Sequence, residues 1–149
     1  MQRMAILLTL SMLSVGTGVA GPSHAEPAIQ APITYSVHPI GWIRKSAGKT
    51  YIEIDKHYQP ALMGVEALRS IWVLYWFDRN DTPEKRSVLQ VHPRGDSGNP
   101  LRGVFATRSP LRPNLIALNE VGILSVKDNV IEIDGIDAFA DTPVLDLKP

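Results

Sequence analysis

The sequence contains no cysteine. That single absence removes disulfides, thiolate nucleophiles and any zinc site built on sulfur, and it suits an exported chain, which would otherwise risk mispairing its thiols. Net charge is missing as well: 15 Lys and Arg balance 15 Asp and Glu, so the field of the whole molecule argues for neither a nucleic-acid nor a membrane partner. His38, His57 and His92 show no spacing that would chelate a metal. Ser109 lies in no Gly-x-Ser-x-Gly elbow and has no nearby histidine, so a hydrolase triad is not indicated. No β-α-β rhythm runs through the chain, which excludes the doubly wound dinucleotide-binding architectures.

What is present is one domain's worth of chain, 149 residues of which 44% are apolar. The charges are segregated. Between Arg79 and Arg112 lie seven bases (Arg79, Lys85, Arg86, Arg94, Arg102, Arg108, Arg112) against three acids (Asp81, Glu84, Asp96), whereas after Asn114 two bases (Lys127, Lys148) face seven acids. A basic middle and an acidic end can pair with each other across a sheet or a dimer interface as readily as they can form a polyanion site.

Residues 1–25 read as a secretory signal peptide: Arg3 near the start, an apolar or small run from Ala5 to Ala20, and a small-x-small site at Ser23-His24-Ala25. Cleavage is expected near Ala25, giving an exported, periplasmic chain. Gly16-Thr-Gly18-Val-Ala-Gly21 matches a dinucleotide fingerprint, but it follows no strand pattern and has no acid about twenty residues on. Residues 26–36, rich in Pro and Ala, form an expected flexible leader, and residues 37–149 the domain.

Within the domain, strands are expected at Ile40–Arg44, at Thr50–Asp55 with its alternating Ile52, Glu53, Ile54 and Asp55, and at Ile71–Phe77. Seven consecutive apolar residues in the last suggest a strand buried on both faces. Further strands follow at Ser87–Val91, Arg102–Thr107, Leu115–Lys127, Val130–Ile136 and Pro143–Leu147, with the clearest hairpin turning at Asp128-Asn129. Leu62, Val65 and Leu68 recur every third residue behind Pro60, which suggests a short helix over Ala61–Leu68. The expected fold is mainly β: a small closed or nearly closed barrel of about seven strands with one short helix.

The stretch Gly103–Asn114 concentrates two prolines, two arginines, a serine and an asparagine behind a short apolar run. It is too rigid for a helix and too charged for a core, and reads as a ligand-gripping loop. Trp72, Tyr75 and Trp76 could line a purine pocket, although aromatics in so apolar a run more often belong to the core.

At Leu74–Phe77, Val91–Arg94, Gly103–Asn114 and Asp141–Pro149 the sequence resembles the TsaA/TrmO-like family, and the resemblance extends from about Pro39 to the end of the chain. It implies a small β-barrel, a homodimer, S-adenosylmethionine as cofactor held near the dimer interface, and methylation of N6 of a modified adenosine in tRNA. It points to Arg108, Ser109, Pro110, Arg112, Pro113 and Asn114, and to Asp137, Asp141, Thr142, Asp146 and Lys148, as donor-binding residues. The chemistry is compatible. A carboxylate wants the fork of an arginine such as Arg108 or Arg112, Ser109 and Asn114 offer neutral hydrogen bonds, and Asp137, Asp141 and Asp146 suit the ribose diol and ammonium. Methyl transfer needs chiefly in-line positioning.

Four positions depart from the family's pattern: Leu115 where a second proline is usual, Ala117 for glycine, Asn119 for Ser or Thr, and Ala140 before Asp141-Thr-Pro. Losing that proline is expected to loosen the loop. Export also moves the chain away from tRNA and the methyl donor. Two function classes therefore stay open: a methyltransferase-like enzyme, or an exported non-catalytic module that binds a small anionic or nucleoside ligand or a partner protein.

Overall fold

In the computed structural model, residues 33–149 are described; the expected signal peptide and most of the 26–36 leader lie outside them. Six strands form a closed antiparallel barrel: β1 (Gly41–Ser46), β2 (Lys49–Ile54), β3 (Ser70–Trp76), β6 (Ile116–Lys127), β7 (Val130–Ile133) and β8 (Pro143–Lys148). Around the wall the order is β1-β2-β7-β6-β3-β8, and Gly41 opposite Val144 closes the ring. Two further short strands, β4 (Gln90–Val91) and β5 (Arg102–Gly103), pair with each other outside the barrel.

The alternation read from the sequence is the barrel's construction rule, since every second side chain points inward. Ile43, Ile52, Ile54, Ile71, Val73, Ala117, Val121, Ile131, Ile133 and Val144 fill the interior. Ladder geometry constrains one position sharply. A Cβ on Gly41 would stand 2.3 Å from the Glu53 carbonyl oxygen, so only glycine lets β1 and β2 approach there. Their turn uses left-handed residues at Ala47 (φ 49°) and Gly48 (φ 75°), which matches the strand twist of a two-residue hairpin.

Three expectations need correction. The apolar run of β3 is not buried on both faces: Ile71, Val73 and Tyr75 are buried, while Trp72, Leu74 and Trp76 are only half-buried. A small barrel has one interior, and the outer face of β3 has no second layer over it among the described residues. The helix expected over Ala61–Leu68 is instead a pair of 3-10 turns, Lys56–Leu62 and Val65–Ala67. Leu62 ends the first turn and Val65 begins the second, and Gly64 at φ 91° separates them, so the three-residue spacing joins two turns and is not the period of one helix. These turns lie against one end of the barrel, where Leu62 is buried.

The one α-helix among the described residues is α1 (Pro83–Arg86), with the Thr82 hydroxyl accepting from the Lys85 N–H at 3.3 Å. Thr-Pro-Glu is a helix-start signal in its own right. Finally, the strands expected at Ser87–Val91, Arg102–Thr107 and Val130–Ile136 are shorter than their apolar patterns. After β5 the chain tightens into a 3-10 turn at Val104–Ala106, and after β7 it bends at Gly135 (φ 153°). No helix among the described residues is long and apolar enough to cross a membrane.

Candidate functional site: a cavity at the end of strands β3 and β6

A cavity of about 470 Å³ opens where β3 ends and β6 begins, within the range of small-ligand sites. Four segments meet there: the end of β3 with the turn Asp78–Asn80, the Thr107–Arg112 part of the basic loop, the start of β6, and the Asp137–Thr142 turn before β8. Closure of the barrel brings these distant pieces together, because β3 pairs with both β6 and β8.

The basic loop is shaped by its own side chains. The Thr107 hydroxyl accepts the Ser109 N–H (3.2 Å), and the Ser109 hydroxyl accepts the Leu111 N–H (3.1 Å), two successive turns of the kind that serine and threonine make with nearby backbone. Arg86 pins the far end. Its Nη1 donates to the Pro113 carbonyl (3.0 Å), its Nε to Asp81 (2.8 Å), and its guanidinium lies 5.3 Å from the Trp76 ring. Trp76 Nε1 donates to the other Asp81 oxygen at 3.1 Å. Arg86 first, and then Trp76, hold the Asp81 carboxyl below its ordinary range.

Beyond the loop Leu115 is fully buried, and its carbonyl accepts the Phe77 N–H at 2.8 Å. The residue that replaces the family's second proline is thus a core anchor. Rigidity that proline would supply through its ring is supplied here by packing.

On the cavity floor, Tyr75 is buried and pairs across the ladder with Ala117. Its hydroxyl donates to the Asn119 side-chain oxygen (2.8 Å) and lies 3.0 Å from the Asp137 carbonyl. Burial, with Asp137 nearby, pushes the phenol up to about 12, against a smaller opposing pull from Arg108. Arg108 is therefore close enough to be felt at the floor.

Of the residues singled out from the sequence, Arg108, Pro110, Arg112, Asp137 and Thr142 line the cavity. Ser109, Pro113 and Asn114 belong to the same loop without lining it; Ser109 and Pro113 hold its shape as described. Asp141 and Asp146 are elsewhere. Asp141, left-handed at φ 64°, pairs with Arg44, and Asp146 pairs with Lys148 at 2.7 Å. Two residues apart on one strand, Asp146 and Lys148 share a face. Among the described residues neither Arg108 nor Arg112 makes an ion pair. With Arg79, three cationic side chains thus line a cavity whose lining acids are Asp78 and Asp137.

Residues of the cavity that the sequence reading passed over include Asp78, Arg79 and Phe139. The guanidinium of Arg79 lies 3.9 Å from the centroid of the Phe139 ring, a stacking contact between two loops. A single phenylalanine in a turn carries no sequence signal.

Residues 36–149 match the family model of the tRNA-methyltransferase O N-terminal domain. The chain belongs to this TsaA/TrmO-like family. A probable S-adenosyl-L-methionine-binding protein of Methanocaldococcus jannaschii is 46% identical over 114 residues, covering 76% of this chain and 90% of that protein. The human tRNA (adenine(37)-N6)-methyltransferase is 39% identical over 91 residues, 61% of this chain but 20% of that protein. Among solved structures, TrmO from P. aeruginosa superposes with a TM-score of 0.61 at 29% identity, over 80% of this chain and 56% of its own. This family member thus spans only part of several relatives, and nearly all of the archaeal one.

Proposed function

We propose that the protein binds S-adenosylmethionine in the cavity between β3 and β6 and acts as a methyltransferase. The observation that carries the reading is the pair of arginines without ion-pair partners, Arg108 and Arg112, lining a cavity of about 470 Å³ that also offers Asp78, Asp137 and apolar walls. A zwitterionic amino acid joined to a nucleoside asks for that combination. The arginines fork onto the carboxylate, and Asp137 or Asp78 faces the ammonium or the ribose diol. The names of the M. jannaschii and human relatives support the same ligand and the same reaction class.

The residues need supply little acid–base chemistry. A sulfonium is already an activated leaving group, so the protein's contribution is to hold donor and acceptor in line and to keep water out. The acceptor we infer is N6 of an adenosine in tRNA, resting on the name of the human relative. If the first 25 residues direct export, tRNA is out of reach and the cavity serves binding alone. Fractionation of a tagged chain tests this: a processed product starting near Glu26 supports export, and a full-length cytoplasmic product refutes it.

We also propose a homodimer. The outer face of β3 and β6 presents Trp72, Leu74, Ile116 and Leu118, with Ile116 and Leu118 at 41% and 46% exposure. Leu74 stands opposite Leu118 in the ladder, and Ile116 and Leu118 also line the cavity. A second copy covering this strip would border the donor. Sedimentation of Leu118→Glu is expected to give monomer where the parent gives dimer; a monomeric parent refutes the proposal.

Titration calorimetry with S-adenosylhomocysteine tests the central reading. Binding is expected, and Arg108→Ala is expected to weaken it by roughly 10- to 100-fold, the loss of a charge-assisted hydrogen bond. An absence of heat at millimolar ligand refutes it.

A further inference from the structure

Phe139 stands at the rim of the cavity with 63% of its surface exposed. Nothing in the packing of the barrel requires an aromatic there. It lies outside the core cluster, in the short turn between β7 and β8, where leaving a large apolar side chain in water gains nothing for folding. Other rings at the cavity are engaged. Tyr75 is buried with its hydroxyl bound, Phe77 packs edge-on against Tyr75 at 5.7 Å between centroids, and Trp76 has its N–H on Asp81 and Arg86 near its ring. Phe139 is the strongly exposed aromatic ring among the residues lining this cavity.

Its single close cationic neighbour defines what it can take. Arg79 lies 3.9 Å from the ring centroid, so two flat groups from separate loops are already layered and pre-oriented. A guanidinium stacks on π-systems as well as an aromatic does. The pair therefore presents a flat, apolar-faced wall that carries one positive charge. A second cation brought against the pair is repelled by that charge. A neutral heteroaromatic ring meets no such penalty and gains by stacking.

Building on the S-adenosylmethionine reading, we propose that the Arg79–Phe139 stack is the wall that recognises the adenine end of the ligand, separately from the amino-acid end held by Arg108 and Arg112. The alternative, that Phe139 cradles the sulfonium by cation–π attraction, is disfavoured by the charge of Arg79. Recognition is thereby split between two ends of the cavity: a stack for the base and a fork for the carboxylate.

The split is what the experiment reads. Titration of the full chain with S-adenosylhomocysteine, S-adenosylmethionine and 5′-methylthioadenosine, which lacks the amino-acid end, is compared with Phe139→Ala and Arg108→Ala. Phe139→Ala is expected to weaken all three ligands by a similar factor, roughly 5- to 100-fold, with Phe139→Tyr close to the parent. Arg108→Ala is expected to weaken the first two and to leave methylthioadenosine unchanged. An unchanged affinity in Phe139→Ala, or a parent that binds S-adenosylhomocysteine but not methylthioadenosine, overturns the base wall while leaving the methyl-donor site intact. A loss confined to S-adenosylmethionine overturns it in favour of a sulfonium contact. A parent that binds none of the three removes both readings. Since Phe139 is largely in solvent, the variant's thermal melt is expected to match the parent's.

Discussion

Replacing Arg86 with alanine is the sharpest perturbation of the loop that carries Arg108 and Arg112. Three contacts disappear together: the ion pair to Asp81 at 2.8 Å, the hydrogen bond to the Pro113 carbonyl at 3.0 Å, and the approach to Trp76 at 5.3 Å. Arg86 and Asp81 side chains are 35% and 42% exposed, so the ion pair contributes about 0.2–1 kcal/mol. The Pro113 bond is charge-assisted but partly solvated, near the low end of about 1.5–3 kcal/mol, and the ring contact adds about 0.5 kcal/mol. Allowing for non-additivity, Arg86→Ala is expected to destabilise by roughly 1–2 kcal/mol, lowering Tm by about 4–10 °C for a domain of this size. The larger interest is in binding. A loop no longer tethered at Pro113 must be ordered by the ligand, which is expected to weaken S-adenosylhomocysteine roughly 5-fold. Asp81→Asn is the control, since it removes the ion pair but leaves the Pro113 contact; it is expected to cost less than half as much stability and to leave affinity unchanged. Differential scanning fluorimetry and calorimetry on the two variants decide the matter. If Arg86→Ala and Asp81→Asn have equal effects on Tm and neither alters affinity, the Pro113 tether does not organise the loop.

Two further outcomes are expected. The folded protein keeps the Tyr75 proton up to about pH 12, whereas the unfolded chain releases it near pH 10; this contribution is present below pH 10 and is lost as pH rises towards 12. Denaturant midpoints should accordingly fall across that window, less steeply in Tyr75→Phe, and parallel curves for the two proteins would refute the assignment. Gly41→Ala would place a methyl 2.3 Å from the Glu53 oxygen and 2.8 Å from the Ile54 Cα, contacts with backbone that cannot rotate away, so a loss of about 3 kcal/mol or more is expected; an unchanged melting temperature would show that β1 and β2 can part there at little cost.

The barrel was legible wherever alternation was local. Ile131 and Ile133 against Glu132 were read correctly as strand, because period two is a property of neighbouring residues, although the expected strand ran on through Asp134 to Ile136 where β7 ends at Ile133. The run Ile71–Phe77 misled because composition records how apolar a strand is but not how many layers will cover it. The third-residue spacing at Leu62 and Val65 misled because left-handed Gly64 breaks the chain between them into two separate turns. Arg108 and Arg112, singled out because a bibasic, proline-stiffened loop is chemically unusual, both line the cavity. Asp141 and Asp146 were not distinguishable from Asp137 by sequence: whether an acid lines a cavity depends on what stands across the barrel, and Asp141 finds Arg44 some 97 positions earlier in the chain. Arg79 and Phe139 belong to the same class of facts, two ordinary residues from different loops made into a pair by closure of the ring.

The ring itself carries a consequence for an unoccupied protein. Every barrel strand has two partners, so the barrel offers no open edge for a ligand to complete, and the cavity's walls are hung on a ring that closes through its own strands. Where the ligand is scarce the protein can wait with its fold intact, and any stabilisation seen on adding ligand reads affinity directly through mass action instead of reporting a fold rescued by its cargo.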